Sequence, residues 1–371
     1  IRDTKYEIRD TKYEIRNTRY EIRNTDEILK KLNIEPLTLE VKEGITLVNG
    51  TAFMNSIGSH LVHDTKKLLL ESETASAMSV DALKGTPKNF EKLLFEVRPF
   101  NGAKICAEHL RAFLKDSEIA KAHEDCEKVQ DAYTLRCIPQ VIGSVYDTLD
   151  YCSKIMETEM NSAVDNPLVF PEQKELLSGG NFHGQSLSMA LDFLGIALTT
   201  LGNFAERRIA RLTNHYYSNL PPFLTPKPGL NSGLMLAQYT SAALASENKI
   251  LVHPASADSI PTSADQEDFV SMGLTAGLKA RKIFDNTRKI IAIELLCASQ
   301  ALEFHRPLKS SKYIEEILKN IRKAVPRLID DRIISDDIER IEHLLKNGKI
   351  YSLAEQWLRT YREKNDIIKI T

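Results

Sequence analysis

The most informative segment of the chain reads Gln130-Asp131-Ala132-Tyr133-Thr134-Leu135-Arg136-Cys137-Ile138-Pro139-Gln140. Gln130, Tyr133 and Arg136 follow one another in steps of three within an otherwise apolar helical pattern. Because each step of three turns by about 60° around a helix, the three polar groups share one arc. Burying Arg and Gln costs free energy unless partners are present, and a planar guanidinium is the usual partner of a carboxylate. The segment therefore predicts either a solvated helix edge or a carboxylate-binding site.

Helical periodicity dominates the sequence on both sides of this segment. Apolar residues recur with a 3.6-residue period over residues 42–72, 127–162, 185–214, 232–252 and 264–305. Chain breakers separate these stretches, namely Asn166-Pro167, Ser178-Gly179-Gly180 and the proline-rich loop 221–229. Alternating strand patterns are nearly absent. Since long helices bury their apolar stripes best along one another, the sequence predicts an all-α fold built as a long-helix bundle.

The chain divides into three predicted regions. Residues 1–24 are a low-complexity heptapeptide repeat whose Ile and Tyr spacing fits neither a coiled coil nor a strand, so we expect no part in the fold. Residues 25–306 form the predicted central helical bundle, and residues 307–371, which are more charged, form a peripheral helical layer. The sequence does not begin with Met, so we expect either a fragment truncated at its N-terminus or a rearranged reading frame.

Composition excludes several classes of function. The 371 residues are 42% hydrophobic and 27% charged, with a formal net charge of −2, so neither nucleic acid nor an anionic membrane is an expected partner. No apolar run approaches the roughly 20 residues that a bilayer span needs. The five cysteines are scattered without a CxxC pair. They predict reduced thiols in the cytoplasm and no metal site.

Several further segments carry a family resemblance. They are Asn49-Gly50-Thr51, Thr158 to Pro167, Ser178 to Gly184, Glu206 to Arg211, Gly229 to Gly233 and Ser259 to Asp268. Together with residues 130–140, they resemble the aromatic amino-acid ammonia-lyase family, and its histidine-specific members most closely, from about residue 25 to 345. The resemblance implies the helical-bundle fold that ammonia-lyases share with fumarase-like enzymes. It also implies non-oxidative elimination of ammonia from L-histidine to give urocanate. Phenylalanine or tyrosine is the alternative substrate.

The resemblance also implies roles for individual residues. Arg136 matches the arginine that pairs with the substrate carboxylate, and Tyr133 and Gln130 match neighbouring active-site positions. Tyr133 could donate a hydrogen bond or act as an acid or base, or it could be an ordinary core tyrosine. Asn49 matches a position beside an electrophilic prosthetic group, although Asn-Gly is also a common turn. Phe182 could pack against that group or against the substrate ring.

Glu267 is singled out by its local sequence. Ser263 and Gln266 form a capping-box signature, which predicts that Glu267 lies in the first turn of a long helix. The positive end of the helix dipole would favour its ionised form, and the carboxylate could hold a substrate imidazole or accept a proton. Asp265 and Phe269 stand where the family pattern has Asn and His.

The resemblance implies a prosthetic group whose precursor is missing here. Family members form a methylidene-imidazolone from an internal Ala-Ser-Gly tripeptide that precedes the Asn-Gly-Thr segment. No such tripeptide occurs among the 48 residues before Asn49, and the family's N-terminal catalytic tyrosine region is not matched. We therefore expect the isolated chain to be catalytically incomplete.

Two interpretations of this incomplete chain remain. The chain is either part of a lyase that needs a separately encoded N-terminal portion, or a non-catalytic helical oligomerisation or interaction protein derived from the family. Either way, its long apolar helix stripes predict a homo-oligomer. The family resemblance implies a tetramer.

Overall fold

The structure is a computed structural model that describes residues 24–124 and 129–365. The chain divides into two compact units, residues 1–48 and 49–371. In the first unit, the described residues form helices α1 (Thr25–Leu32) and α2 (Glu43–Val48). The heptapeptide repeat lies outside the described residues, apart from its final position, Asn24. The division predicted at residues 24 and 306 stays a prediction, although the second unit runs through residue 306.

The second unit consists almost entirely of helices. They are α3 (Ala52–Ala82), α4 (Lys92–Glu96), α5 (Asn101–Leu114), α6 (Glu118–Lys121), α7 (Tyr133–Arg136), α8 (Ile138–Met160), α9 (Gln185–Thr213), α10 (His215–Ser218), α11 (Met235–Leu251), α12 (Gly273–Leu302), α13 (Lys312–Ala324), α14 (Ile334–Lys346) and α15 (Lys349–Lys364). Two strands, β1 (Leu168–Phe170) and β2 (Glu175–Leu177), pair antiparallel as a small hairpin. The predicted all-α class is confirmed, and this exposed hairpin is the exception.

The core lies among the long helices. Helix α12 packs against α9 and α3, while α8 packs against α5 and α9. Their contact faces carry fully buried apolar side chains such as Leu61, Leu198 and Ile290. Each fully buried aliphatic side chain contributes about 1.5–3 kcal/mol relative to an exposed one, so these facing stripes hold the bundle together.

Helix α9 is both long and strongly apolar. Among the described residues it is the one helix whose length and hydropathy would allow it to cross a membrane, which the apolar runs alone did not reveal. However, 67% of its most apolar window is buried inside the protein. A helix at the centre of a folded bundle has these properties.

The C-terminal helices pack against the long helices, α15 against α3 and α14 against α12. Ser311 caps the start of helix α13, and its side chain accepts a hydrogen bond from Ile314 N at 3.2 Å. Helix α15 is attached to α5, because the Trp357 indole donates to the Ala112 carbonyl at 3.0 Å and Arg362 Nε donates to Glu108 at 2.6 Å. These helices lie within the region predicted to form the C-terminal layer.

Candidate active site

One cavity brings together three of the predicted site residues. It has a volume of about 480 Å³ and is lined by Asn49, Phe182 and Glu267. These residues come from three separate loops: the turn before α3, the loop before α9 and the loop before α12. Because catalytic groups are often carried by loops on a rigid scaffold, this cavity is the strongest candidate for an active site.

Asn49 and Gly50 form the turn that leads into α3. Gly50 has a φ of +86°, and a side chain there would meet the Val164 carbonyl oxygen at 2.9 Å. Thr51 Oγ1 donates to Glu159 at 2.5 Å, which attaches the turn to the end of α8. The turn interpretation of Asn-Gly is therefore correct, and the same turn presents Asn49 to the cavity.

Glu267 lies in a loop, so the prediction that it occupies a first helical turn is wrong. Residues 263–265 form a single 3-10 turn with positive φ values of 53°, 54° and 63°. Helix α12 begins only at Gly273. The capping box fails because Ser263 takes a left-handed conformation rather than the extended one that a capping residue needs. The dipole argument for Glu267 fails with it.

Thr262 positions the Glu267 carboxylate instead. Thr262 Oγ1 donates to Glu267 Oε2 at 2.7 Å, and the backbones of the two residues exchange hydrogen bonds of 2.9 and 3.3 Å. Three successive non-glycine residues with positive φ between Thr262 and Glu267 store backbone strain, which proteins keep mainly at functional sites. The strained turn and the paired backbones together hold an acidic side chain at the cavity wall.

The loop before α9 supplies an aromatic and an imidazole side chain. Phe182 and His183 both line the cavity. His183 Nε2 lies 3.1 Å from the Phe269 carbonyl oxygen, and the two rings stack with centroids 6.0 Å apart. Asn166 Oδ1 accepts hydrogen bonds from Gly179 N and Ser178 Oγ, which fixes the start of the same loop.

Met54 is a cavity residue that sequence reasoning missed. A methyl group at Gly184 or at Gly273 would overlap the Met54 thioether. Both glycines lie where a loop meets a long helix, at the starts of α9 and α12. The two glycines at helix starts were the signal that the sequence offered, because a glycine at such a junction leaves room for a neighbouring side chain.

Gln130, Tyr133 and Arg136 do not line this cavity. The prediction that they share one helix arc is wrong for Gln130, which precedes the four-residue helix α7. The chain turns at Cys137 before α8 begins, and Pro139 occupies its first turn, where proline is tolerated. The predicted helix over residues 127–162 is therefore two helices preceded by a loop.

Within residues 24–124 and 129–365, no acidic side chain pairs with Arg136. Its guanidinium lies over the Tyr133 ring, 4.6 Å from the ring centroid. Its Nε is buried and has no hydrogen-bond partner among the residues that the structure describes. Because an unpaired buried donor costs about 1–3 kcal/mol, a bound carboxylate would relieve it.

The two groups of site residues lie at opposite ends of α3. Asn49 and Gly50 precede its first turn, whereas Asp131 accepts hydrogen bonds from Thr86 N at 2.8 Å and Asn89 Nδ2 at 3.0 Å beyond its last turn. A helix of 31 residues is about 45 Å long at 1.5 Å per residue. The cavity and Arg136 are therefore too far apart within one chain to hold one amino acid.

The cavity has room and a free amide for a small electrophilic group. The Asn49 side chain makes no hydrogen bond to the described parts of the chain, 24–124 and 129–365. The residues present therefore fit the prosthetic group that the family resemblance implies. Its Ala-Ser-Gly precursor does not occur in the 371-residue sequence. Within the described ranges, no cluster of acidic, His and Cys side chains could hold a metal ion.

The helical bundle matches a known family of lyases. Residues 10–323 match the family model for aromatic amino acid lyases, and the chain belongs to that family. A histidine ammonia-lyase from Koribacter versatilis is 48% identical over 341 residues, which cover 88% of this chain and 66% of that enzyme. The chain thus spans slightly less than two thirds of this relative's length.

Solved structures agree with this assignment. The crystal structure of histidine ammonia-lyase from Trypanosoma cruzi superposes with a TM-score of 0.83 at 42% identity, covering 90% of this chain and 64% of that one. A tyrosine aminomutase from Streptomyces globisporus gives a TM-score of 0.83 at 38% identity, covering 89% and 67%. The same fold thus carries both ammonia elimination and amino-group migration.

Proposed function

We propose that the chain is the larger part of a histidine ammonia-lyase, which eliminates ammonia from L-histidine to give urocanate. The observation that carries this proposal is the Glu267 carboxylate, held by Thr262 at the wall of a cavity that also contains Phe182. A carboxylate there can accept a hydrogen bond from an imidazole N–H, whereas a phenyl ring offers it nothing. The identity of 48% to a histidine-specific relative supports the same substrate.

The site is completed by a second copy of the chain. Arg136 would bind the substrate carboxylate through its two-pronged guanidinium, with Tyr133 beside it as a hydrogen-bond donor or acid/base group. Since these residues follow Asp131, which is bonded beyond the end of α3 opposite to the cavity, we propose that the Arg136 end of one copy abuts the cavity of another. A closed homo-oligomer, with four copies as the family resemblance implies, provides such contacts.

The remaining component is the electrophile. When bound, a methylidene-imidazolone would supply the electrophile that turns the substrate amino group into a leaving group, and the Asn49 amide in the cavity wall could donate a hydrogen bond to it. We propose that its Ala-Ser-Gly precursor lies in polypeptide outside these 371 residues. The chain alone should then release no ammonia. Within the cavity, Phe182 covers the substrate ring and excludes water, and Glu267 orients the imidazole. The scattered reduced cysteines fit a cytoplasmic location.

Complementation tests this proposal. The chain is co-expressed with a polypeptide that carries the Ala-Ser-Gly segment of a histidine-specific relative, and urocanate is followed by its ultraviolet absorbance. We expect activity with L-histidine and far less with L-phenylalanine or L-tyrosine. Preference for phenylalanine or tyrosine would contradict the substrate assignment. A stable assembly that acts on none of the three would favour the alternative, a non-catalytic oligomerisation protein.

A further inference from the structure

The contact between His183 and Phe269 fixes the tautomer of the histidine. His183 Nε2 lies 3.1 Å from the Phe269 carbonyl oxygen. Because a carbonyl oxygen can only accept, Nε2 carries the proton and donates it. In the neutral ring the other nitrogen, Nδ1, is then a hydrogen-bond acceptor. Nδ1 has no hydrogen-bond partner among the residues described by the structure.

Phe269 also fixes the plane of the His183 ring. The two rings stack with centroids 6.0 Å apart and an interplanar angle of 19°. The backbone of His183 is held as well, since its N–H donates to the Gly180 carbonyl at 2.9 Å. A histidine that is held at its backbone, one ring nitrogen and one ring face is preorganised, although its side chain remains exposed.

This fixed acceptor belongs to the same cavity as Glu267. The cavity wall therefore combines two acceptors, a carboxylate and an imidazole Nδ1, with the aromatic side chain of Phe182. A neutral imidazole has one N–H and can pair with one of these acceptors, and an imidazolium has two and can pair with both, whereas a plain phenyl ring would leave both acceptors unpaired. Sites built to hydrogen-bond a substrate group reject analogues that lack it far more strongly than apolar pockets do.

We propose that His183 is a specificity-determining residue whose Nδ1 accepts a hydrogen bond from the ring N–H of the substrate. This inference deepens the proposed function and rests on it for the identity of the substrate. Phe269 acts through His183 as a positioning residue, because its carbonyl sets the tautomer and its ring sets the plane. The competing interpretation is that His183 only ties the loop before α9 to the loop before α12.

The test compares two ligands that differ in a single N–H. Imidazole and N-methylimidazole are titrated into the full chain above the pKa of both ligands, with the histidine rings labelled with ¹⁵N, and the chain and all its variants carry Glu267→Ala so that the carboxylate cannot take the single ligand N–H. His183 signals are assigned by their loss in His183→Gln. We expect Nε2 to be protonated, and Nδ1 to shift on addition of imidazole and much less with N-methylimidazole. Imidazole should bind about three- to tenfold more tightly, the value of one neutral hydrogen bond.

Variants of His183 distinguish ligand recognition from a purely structural contact between the two loops. His183→Gln keeps one donor and one acceptor and should retain part of the preference for imidazole. His183→Leu has neither and should abolish the preference, with the fold checked by circular dichroism. Three results would overturn the proposal: a protonated Nδ1, an Nδ1 signal that does not shift on addition of imidazole, or a preference for imidazole that survives in His183→Leu.

The same measurements separate this inference from the proposed function. A complemented enzyme that acts on histidine with unchanged selectivity in His183→Leu would refute the role of His183 and leave the function standing. A protein that never releases ammonia, yet prefers imidazole through His183, would refute the function and leave the recognition site standing.

Discussion

Asn49 and Asp131 lie at opposite ends of helix α3, which separates the cavity from Arg136 by most of the length of the bundle. Asn49 lies in the turn before the helix, and Asp131 is bonded to Thr86 N at 2.8 Å just beyond it. Such a separation is expected when active sites form between copies of one chain. Under the proposed function, oligomerisation would be required for catalysis as well as for covering apolar helix faces.

Mixed oligomers test whether each active site combines the cavity of one copy with Arg136 of another. In the complemented enzyme, Glu267→Gln and Arg136→Met should each be nearly inactive alone. When the two variants assemble together at random, about one site in four combines an intact Glu267 from one chain with an intact Arg136 from another. We therefore expect recovery of about a quarter of the wild-type rate of urocanate formation.

A matched control uses two variants from the same half of the site. Glu267→Gln mixed with Phe182→Ala should show no recovery, since every cavity then carries one of the two defects. If the two halves belonged to one chain, the first mixture would merely average the two weak activities.

Arg136→Lys tests the bidentate carboxylate contact. Lysine keeps the charge but loses the planar fork, so kcat/KM in the complemented enzyme should fall while folding remains nearly intact. Hydrogen bonds to charged groups contribute about 1.5–3 kcal/mol, which corresponds to a loss of roughly tenfold to a few hundredfold. Arg359→Lys, at an exposed position of α15, is the control. Unchanged kinetics in Arg136→Lys would show that Arg136 does not bind the substrate carboxylate.

The helices could be predicted from sequence because their signal is repeated many times. The stretch 185–214 was predicted almost to the residue, since α9 buries one side throughout its 29 residues. Glu267 illustrates the opposite case. A capping box is a two-residue signal, and three left-handed residues in the same segment override it. Only the folded loops show that these residues cannot enter a helix.

The residues of the site could be named from the sequence, but their positions relative to one another could not. Asn49, Phe182 and Glu267 could be named from short motifs, and the structure brings them to one cavity. The motif around Arg136 looked like part of the same site, yet it lies beyond the far end of α3. Distance along a 31-residue helix depends on tertiary packing, which spacing in the sequence does not encode.

Gly143→Ala tests the close crossing of α5 and α8. A methyl group at Gly143 would overlap the backbone of Ala103, and one at Gly102 would overlap the Gly143 carbonyl. Because backbone atoms cannot move aside as a side-chain end can, we expect a loss of about 1–3 kcal/mol or more in the free energy of unfolding. Denaturant titration followed by circular dichroism measures it.

Gly195→Ala is the matched control for this helix crossing. Gly195 is also buried in a long helix, but a methyl group there would meet Ile283 Cδ1 at 3.4 Å, an ordinary van der Waals contact. Alanine is favoured over glycine in helices by about 1 kcal/mol, so this variant should be neutral or more stable. Equal losses of unfolding free energy in both variants would show that the close backbone contact between Gly102 and Gly143 does not cause the loss.

Glu71 should make the stability of the protein depend on pH. Burial raises the pKa of its carboxyl from 4.5 to about 8, against smaller opposing effects from a backbone hydrogen bond at Tyr351 and from Arg288. Its Oε1 has no hydrogen-bond partner in the described part of the chain. Between pH 4.5 and about 8, the folded state therefore retains a proton that the unfolded chain has lost. Stability from this residue is fully present below pH 4.5 and falls as pH rises through that window, at a rate on the order of 1 kcal/mol per pH unit.

Glu71→Gln should remove this dependence, because the amide resembles the protonated carboxyl and does not titrate. Denaturant unfolding of wild type and variant is compared at several pH values across the window. The difference in the free energy of unfolding should move in favour of the variant as pH rises, and it should level off above about pH 8. Glu175→Gln, on the exposed strand β2, should follow the wild-type curve. Parallel curves for wild type and Glu71→Gln would mean that Glu71 is ionised in the folded protein and that its carboxylate has a compensating partner.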